Sequence, residues 1–332
     1  MVQIQAYAAH APKARLTPCS YAVGEPLEGE VEVEVSCCGL CHSDIHLIDD
    51  DWKISAYPLI PGHEVVGTVR AMGKRVRGLK VGERVGIGWQ CGSCGTCEFC
   101  RRGAENFCSA SRATCVGRSG GFAQALRVDA RFAFPIPKKL ASEHAAPLLC
   151  GGLTVYSPLV RHAVGRGTRC AVLGMGGLGH LAVQFASKLG AHTTVFSSSP
   201  DKEAEARGLG AAEFRSDGKP PRGAYDFILS TVSADLDFRP FLAALRPEGS
   251  LCFVGASPSP LKLQVFDLIH GAKNVCGSPI GGRKDMRRML DFAARRGVRP
   301  IVEVLPMDQV NEAVLKVRAN KARYRMVLRR ES

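Results

Sequence analysis

The chain has 332 residues, 45% hydrophobic and 23% charged, a composition that fits two ordinary globular domains and excludes a disordered or fibrous chain. No apolar run approaches the roughly 20 residues needed to cross a bilayer, and the start Met1-Val-Gln-Ile-Gln-Ala lacks a signal peptide's basic and apolar regions, so it reads as mature sequence. Net charge is +13, from 44 Lys and Arg against 31 Asp and Glu. The excess is scattered, with mild enrichment at Arg283–Arg299 and Arg318–Arg330. A nucleic-acid surface would gather that charge on one element with aromatics to stack bases; a solvated basic surface that attracts an anionic cofactor accounts for it better.

Fourteen cysteines is a high count. With no export signal, they point to metal rather than disulfides, and to a reducing cytoplasm. Cys19, Cys37, Cys38, Cys91, Cys115, Cys170, Cys252 and Cys276 sit mostly in apolar, strand-like contexts and read as small buried hydrophobes. The remaining six read as metal ligands.

In chain order, Val31–Cys37 alternates apolar and polar at period two, a half-buried strand, and Val65–Met72, Arg84–Gly88 and Phe122–Val128 are further short strands. The first part of the chain is therefore a mostly β domain with ligands on its loops. Pro135-Ile-Pro137 stiffens its exit, and Ala145–Val155 reads as a helix into a second domain. From Arg169 the pattern becomes strand–helix alternation: strands at Arg169–Leu173, Thr193–Phe196, Asp226–Leu229 and Leu251–Val254, with helices at Leu178–Leu189, Asp201–Arg207 and Phe238–Leu245. That alternation builds a doubly wound parallel sheet. After Asn274–Ser278 and a helix beginning near Lys284, Ile301–Leu305 and Tyr324–Leu328 are β-like again, so the tail is expected to return to the first domain. The expected boundaries are 1–148 with 284–332 for the β domain, including a metal lobe at 91–108, and 149–283 for the cofactor domain. The fold class is α/β.

Two metal sets are legible. Cys94, Cys97, Cys100 and Cys108 follow one another with two, two and seven residues between them. One loop can thus wrap four thiolates around a tetrahedral ion, the closed set of a structural zinc. An iron–sulfur cluster or a redox CxxC pair competes for the same residues, and Cys91 is a spare thiol. Cys41, His63 and Cys150 offer two thiolates and one imidazole, the set of a catalytic zinc with an open fourth position. Asp44 can orient His63 through its second ring nitrogen, and Glu64 is an alternative fourth ligand. Ser43 would lie beside the substrate oxygen, and His46 could pass its proton to solvent. Zinc polarises a carbonyl or lowers an alcohol's pKa, but carries no hydride, so a dinucleotide is required.

Gly174-Met-Gly176-Gly177-Leu178-Gly179 follows a predicted strand and opens a predicted helix, the setting in which GxGxxG is specific for a dinucleotide. About twenty residues on, an NAD site would place an acid on the ribose. Here stand Ser197, Ser198 and Ser199, with Lys202 following. Serine hydroxyls donate to a 2′-phosphate and Lys202 neutralises it, which points to NADP(H).

Taken together, the chain resembles the zinc-type medium-chain alcohol dehydrogenases, and most of all their cinnamyl-alcohol-dehydrogenase branch and bacterial broad-specificity NADPH-dependent aldehyde reductases. The stretches GLCHSDIH, DDDWKISAYPLIPGHEVVG, GIGWQ, GGFA, PLLCGGLTVYSPL, GMGGLGHLAVQFA and KARYRMVL carry it over nearly the whole length. The resemblance implies a GroES-like catalytic domain interrupted by a Rossmann domain, two zincs per subunit and a homodimer joined along the Rossmann sheet edge. It sets Thr154, Thr231, Gly255 and Ser278 along the nicotinamide half of the cofactor, and His42 and Arg325 near the pyrophosphate. Trp52 and Trp89 would wall a substrate pocket. The segment between Cys108 and Gly120 and the loop Arg215–Gly223 are shorter than in plant relatives. The implied activity is reversible reduction of medium-chain aliphatic or aromatic aldehydes to primary alcohols. An NAD-preferring secondary-alcohol or polyol dehydrogenase is the alternative, and a non-catalytic zinc or dinucleotide sensor would need a broken ligand set.

Overall fold

The computed structural model describes residues 1–257 and 259–330. It divides into two units, Met1–Gly151 with Gly281–Ser332, and Gly152–Ile280. In the first, the long strand Glu30–Leu40 is central. It pairs antiparallel with Arg325–Arg329 and Glu64–Met72, and its first half also with Ala125–Asp129. Val302–Pro306, Arg84–Ile87 and Phe134–Pro135 complete the seven-stranded sheet. Val31, Val33, Val35, Val65, Val69, Val85, Ile87, Leu126 and Leu328 bury one continuous apolar cluster, as period-two alternation requires. The chain end does return to this sheet, since Arg325–Arg329 lies beside Glu30–Leu40.

Some local expectations are corrected. The hairpin Val2–Ala8 with Thr17–Val23, and the helices His42–Asp49 and Val310–Arg318, add to the elements expected from sequence. The strand expected over Phe122–Val128 begins only at Ala125, because Phe122 and Gln124 donate their N–H groups to Pro61 and Gln5 outside it. The helix expected over Ala145–Val155 is instead Ser142–Pro147, a wider π turn Leu148–Gly152, and Leu153–Arg161. Pro147, which cannot donate to the helical ladder, precedes the π turn, and Cys150 sits within it; such turns recur at functional sites.

The second unit is the doubly wound sheet. All its strands run parallel, in the order Glu213–Arg215, His192–Phe196, Arg169–Leu173, Tyr225–Ser230, Leu245–Phe253, Asn274–Gly277. Order reverses between Arg169–Leu173 and Tyr225–Ser230, the switch point where such sheets bind ligands at their carboxyl ends. Among the described residues, no helix is long and apolar enough to cross a membrane.

Candidate metal centre and cofactor turn

Asp44 ties the two ligand loops of the first unit together. It is fully buried, three residues into the helix that Cys41 caps. Its Oδ2 accepts the Cys41 N–H at 2.9 Å, and its Oδ1 accepts the Gly62 N–H at 2.9 Å and faces His63 Nδ1 at 2.9 Å. Gly62 has φ of 102°, and a Cβ there would lie 2.8 Å from the Phe122 nitrogen and 2.9 Å from Cys38 Sγ. Only glycine closes this turn and delivers His63 to the carboxylate.

With Nδ1 held, His63 Nε2 points at Cys150 Sγ, 3.3 Å away. One ligand atom from each of Cys41, His63, Glu64 and Cys150 lies within 4.8 Å of the others. Zinc at its usual bond lengths to sulfur and nitrogen sets an S···N edge of about 3.6 Å in a tetrahedron, so this donor set fits the ion. The Cys150 thiol and the Arg325 charge hold the Cys41 thiol well below its usual range against the opposing effect of burial. Burial works against a charged His63 imidazole, yet Asp44 and Cys150 raise it well above its ordinary value. Glu64 is buried beside them, pushed up to about 7 by burial with Arg325 opposing. Its Oε1 accepts from Arg325 Nη2, and its Oε2 has no hydrogen-bond partner among the described residues. Arg325 is itself 5% exposed; its guanidinium is engaged with Glu64 and bears on Cys41.

Ser43 Oγ lies 3.8 Å from Cys41 Sγ. His46 Nδ1 is 2.7 Å from Asp51 Oδ2, and both side chains reach solvent. An aromatic wall runs from His63 to Trp89 at 5.0 Å, to Trp52 at 6.0 Å, and on to His46 at 5.1 Å. Sequence reasoning missed Asp51, whose role shows only once the helix His42–Asp49 is formed. It also missed Cys115, which joins Asp44 and His63 within 4.8 Å and is pushed up to about 11 by burial. His42 is lowered by burial and bonded to Asn320.

The four-cysteine lobe is as tightly drawn. Cys94 Sγ lies 3.8 Å from Cys100 Sγ and 3.6 Å from Cys108 Sγ, and one Sγ from each of Cys94, Cys97, Cys100 and Cys108 falls within 4.8 Å of the rest. A tetrahedron of thiolates around zinc has edges of about 3.8 Å. The N–H groups of Thr96 and Cys97 donate to Cys94 Sγ at 3.4 Å and pull its thiol down to about 5. Cys91 stands apart, taking Arg118 Nη1 at 3.3 Å. Buried Glu105 anchors the lobe by accepting the Arg283 N–H at 2.9 Å.

In the second unit, Gly174 adopts φ of 93° at the end of strand Arg169–Leu173, and Leu178 caps the helix Gly179–Leu189. A Cβ on Gly179 would collide with the Gly174 carbonyl, whereas one on Gly176 would meet nothing within 4 Å. The turn thus leaves room above Gly176, at the positive end of a helix dipole, which suits a pyrophosphate. Thr231 Oγ1 donates to the Leu173 carbonyl at 2.8 Å, and Gly255 packs against Thr231 and Val232. Lys202 Nζ donates to the Met175 carbonyl at 3.0 Å, bringing the Ser197–Lys202 segment to the glycine turn. Ser197 N–H donates to Arg215, on the neighbouring strand, and Ser198 is exposed. Thr154 is half-buried in Leu153–Arg161, and Ser278 Oγ lies 3.2 Å from the Pro279 carbonyl.

Residues 27–138 match the alcohol dehydrogenase GroES-like domain, and residues 177–295 the zinc-binding dehydrogenase domain. Over 330 residues the chain is 43% identical to the aldehyde reductase AdhA of Synechocystis sp., covering 98% of each. The chain belongs to the zinc-type medium-chain alcohol dehydrogenases. Within that family it stands in the cinnamyl-alcohol-dehydrogenase-like branch. A cinnamyl alcohol dehydrogenase from Sorghum bicolor superposes with a TM-score of 0.94 at 40% identity, covering 99% of this chain and 98% of that one. The Helicobacter pylori enzyme of this name, complexed with NADP(H), gives 0.93 at 33%, with the same coverage. As a medium-chain alcohol dehydrogenase the chain is an oxidoreductase, and the GroES-like and Rossmann architecture expected from sequence is the one observed.

Proposed function

We propose that the enzyme reduces aldehydes, medium-chain aliphatic or aromatic, to primary alcohols, with NADPH and a proton consumed and NADP⁺ released. The observation that carries this reading is the convergence of Cys41, His63 and Cys150 with Asp44 behind His63. Those three residues would hold the catalytic zinc, with Glu64 as an alternative fourth ligand, and Cys94, Cys97, Cys100 and Cys108 a structural one. When bound, zinc polarises the substrate oxygen and NADPH supplies hydride to the carbon.

The chain's own groups do the rest. Asp44 fixes the His63 tautomer and ring orientation. Ser43 hydrogen-bonds the substrate oxygen, and His46 with Asp51 connects that hydroxyl to solvent for the proton. Trp89 and Trp52 present an apolar wall that excludes water and favours extended or aromatic substituents. The glycine turn and the helix start take the pyrophosphate, with Thr154, Thr231, Gly255 and Ser278 along the nicotinamide. Ser197, Ser198 and Lys202 take the 2′-phosphate.

A homodimer along the Asn274–Gly277 edge is part of the proposal, supported by exposed Val265, Phe266 and Ile269 on one short helix. A cytoplasmic location is supported by fourteen cysteines without a disulfide.

The test is NADPH and NADH oxidation measured in parallel over a panel of aliphatic and aromatic aldehydes, repeated on chelator-stripped protein. NADPH turnover that vanishes with the metal and returns with zinc is expected. Equal or faster NADH turnover would replace NADP by NAD and favour the secondary-alcohol or polyol reading. Absence of turnover with either, in protein holding two zincs, would overturn the aldehyde assignment.

A further inference from the structure

A third group of metal-type donors converges outside the two sets described. His162, Cys252 and Cys276, all in the Gly152–Ile280 unit, each bring one ligand atom within 4.8 Å of the other two. From sequence the two cysteines read as packed hydrophobes. Their placement says otherwise.

Cys252 and Cys276 are register partners on the adjacent parallel strands Leu245–Phe253 and Asn274–Gly277. Neighbouring residues in register project to the same face of a sheet, so the pair forms a two-sulfur edge. His162 terminates the helix Leu153–Arg161. Its ring lies 4.9 Å from that of Phe227, on the next strand inward, with the planes 38° apart, and its Nε2 comes 3.6 Å from Cys276 Sγ. That separation matches the S···N edge of about 3.6 Å that zinc sets in a tetrahedron. Cys252 is fully buried, while Cys276 and His162 are half-buried. Asn274–Gly277 is also the outermost strand of its sheet, and the half-exposed side chains of Cys276 and His162 let an ion reach the sulfurs without passing through the edge given to the homodimer.

We propose that His162, Cys252 and Cys276 form a third metal site that binds a thiophilic d¹⁰ cation, zinc in the first place. Two thiolates with one imidazole select such ions over magnesium or calcium. The donor types repeat those of Cys41, His63 and Cys150, but the surroundings do not. The charged neighbour is Arg161, hydrogen-bonded to Ser278 at 3.4 Å, where His63 has Asp44. The site is therefore one of binding: the ion would clip the two outer strands to the end of the helix and stabilise this rim through mass action.

The test compares zinc per chain, by elemental analysis, in the wild type and in His162→Gln, both equilibrated at micromolar free zinc. The proposal expects one ion fewer in H162Q, with aldehyde reduction unchanged. Because the readout is a difference, loss of an ion from either set described above cancels out. Cys252→Ser with Cys276→Ser should remove the same ion. If that double variant does not fold, maleimide labelling of wild-type Cys276 decides, and zinc should slow it at least tenfold. Equal zinc content in wild type and H162Q, or labelling of Cys276 at one rate with and without zinc, would overturn the site.

Discussion

Asp44 Oδ1 and His63 Nδ1 lie 2.9 Å apart with both side chains fully removed from solvent. The same carboxylate holds the backbone of Cys41 and of Gly62. One side chain thus fixes the spacing of two ligand loops separated by about twenty residues of sequence. Asp44→Asn keeps the shape but offers an amide where a charged acceptor stood. It is expected to lower zinc affinity at this centre 10- to 100-fold, the usual cost of losing an outer-sphere carboxylate. The reductase rate should fall in step and recover with excess zinc. Unchanged zinc retention under a chelator titration would show that Asp44 does not orient His63.

The four-cysteine lobe is predicted to matter to stability and not to chemistry. Cys100→Ser removes one of four converging thiols and should cost one zinc per chain and several degrees of melting temperature. The activity of the remaining folded protein, per catalytic zinc, should stay within about twofold. A normal melting temperature with a zinc missing would deny the lobe its structural part.

What was legible in the sequence was what is local. The turn after Arg169–Leu173 announces itself because Gly174 needs a positive φ and Gly179 has no room for a side chain. Val31–Cys37 announces itself by alternation. Cys41, His63 and the four clustered cysteines carry motif spacing. The rest depends on distant partners. His162 and Cys276 are 114 residues apart, and nothing near Cys276 in sequence foretells the imidazole. Cys115 reads as an ordinary buried thiol until the fold brings it to His63. The π turn at Cys150 is hidden because Ala145–Val155 has the apolar content of a simple helix. Arg325, given to the pyrophosphate by resemblance, is engaged by Glu64 of strand Glu64–Met72 across the central strand Glu30–Leu40, a pairing of residues 261 positions apart.

For the cofactor, Ser197→Asp is the sharp test. A carboxylate at the end of strand His192–Phe196 would oppose a 2′-phosphate, and like-charge juxtaposition of this kind costs several kcal/mol. NADPH kcat/KM is expected to fall on the order of 100-fold or more while NADH gains. If both cofactors respond equally, the serine turn does not read the phosphate.

The proposed proton path predicts a rate effect separable from binding. His46→Gln should slow turnover by on the order of 10²-fold, the lower range for loss of a positioned acid–base group. KM for the cofactor should barely move, and added imidazole should restore part of the rate, because His46 and Asp51 are both open to solvent. Asp51→Asn should give a smaller loss in the same direction. A variant as fast as the wild type across the pH range would remove His46 from the path.

The last prediction concerns acid stability and rests on Glu32, buried in the central strand Glu30–Leu40. Arg70 Nε donates to its Oε1 at 2.5 Å and Arg127 Nε to its Oε2 at 2.7 Å. Burial alone would raise the carboxyl, but the two guanidiniums outweigh it and hold Glu32 below the usual 4.5. A carboxylate depressed in the folded state lets the unfolded chain take up the proton first as pH falls. Its contribution is therefore complete above about 4.5 and drains away as pH drops through the lower folded value. Glu32→Gln should cost about 2 kcal/mol near neutrality, the scale of charge-assisted hydrogen bonds lost in a buried setting. The gap between wild type and variant, from urea unfolding at a series of pH values, should stay flat down to mild acid and narrow below it. A gap that keeps its size into strong acid would mean that the Glu32 charge, as opposed to its packing, contributes nothing.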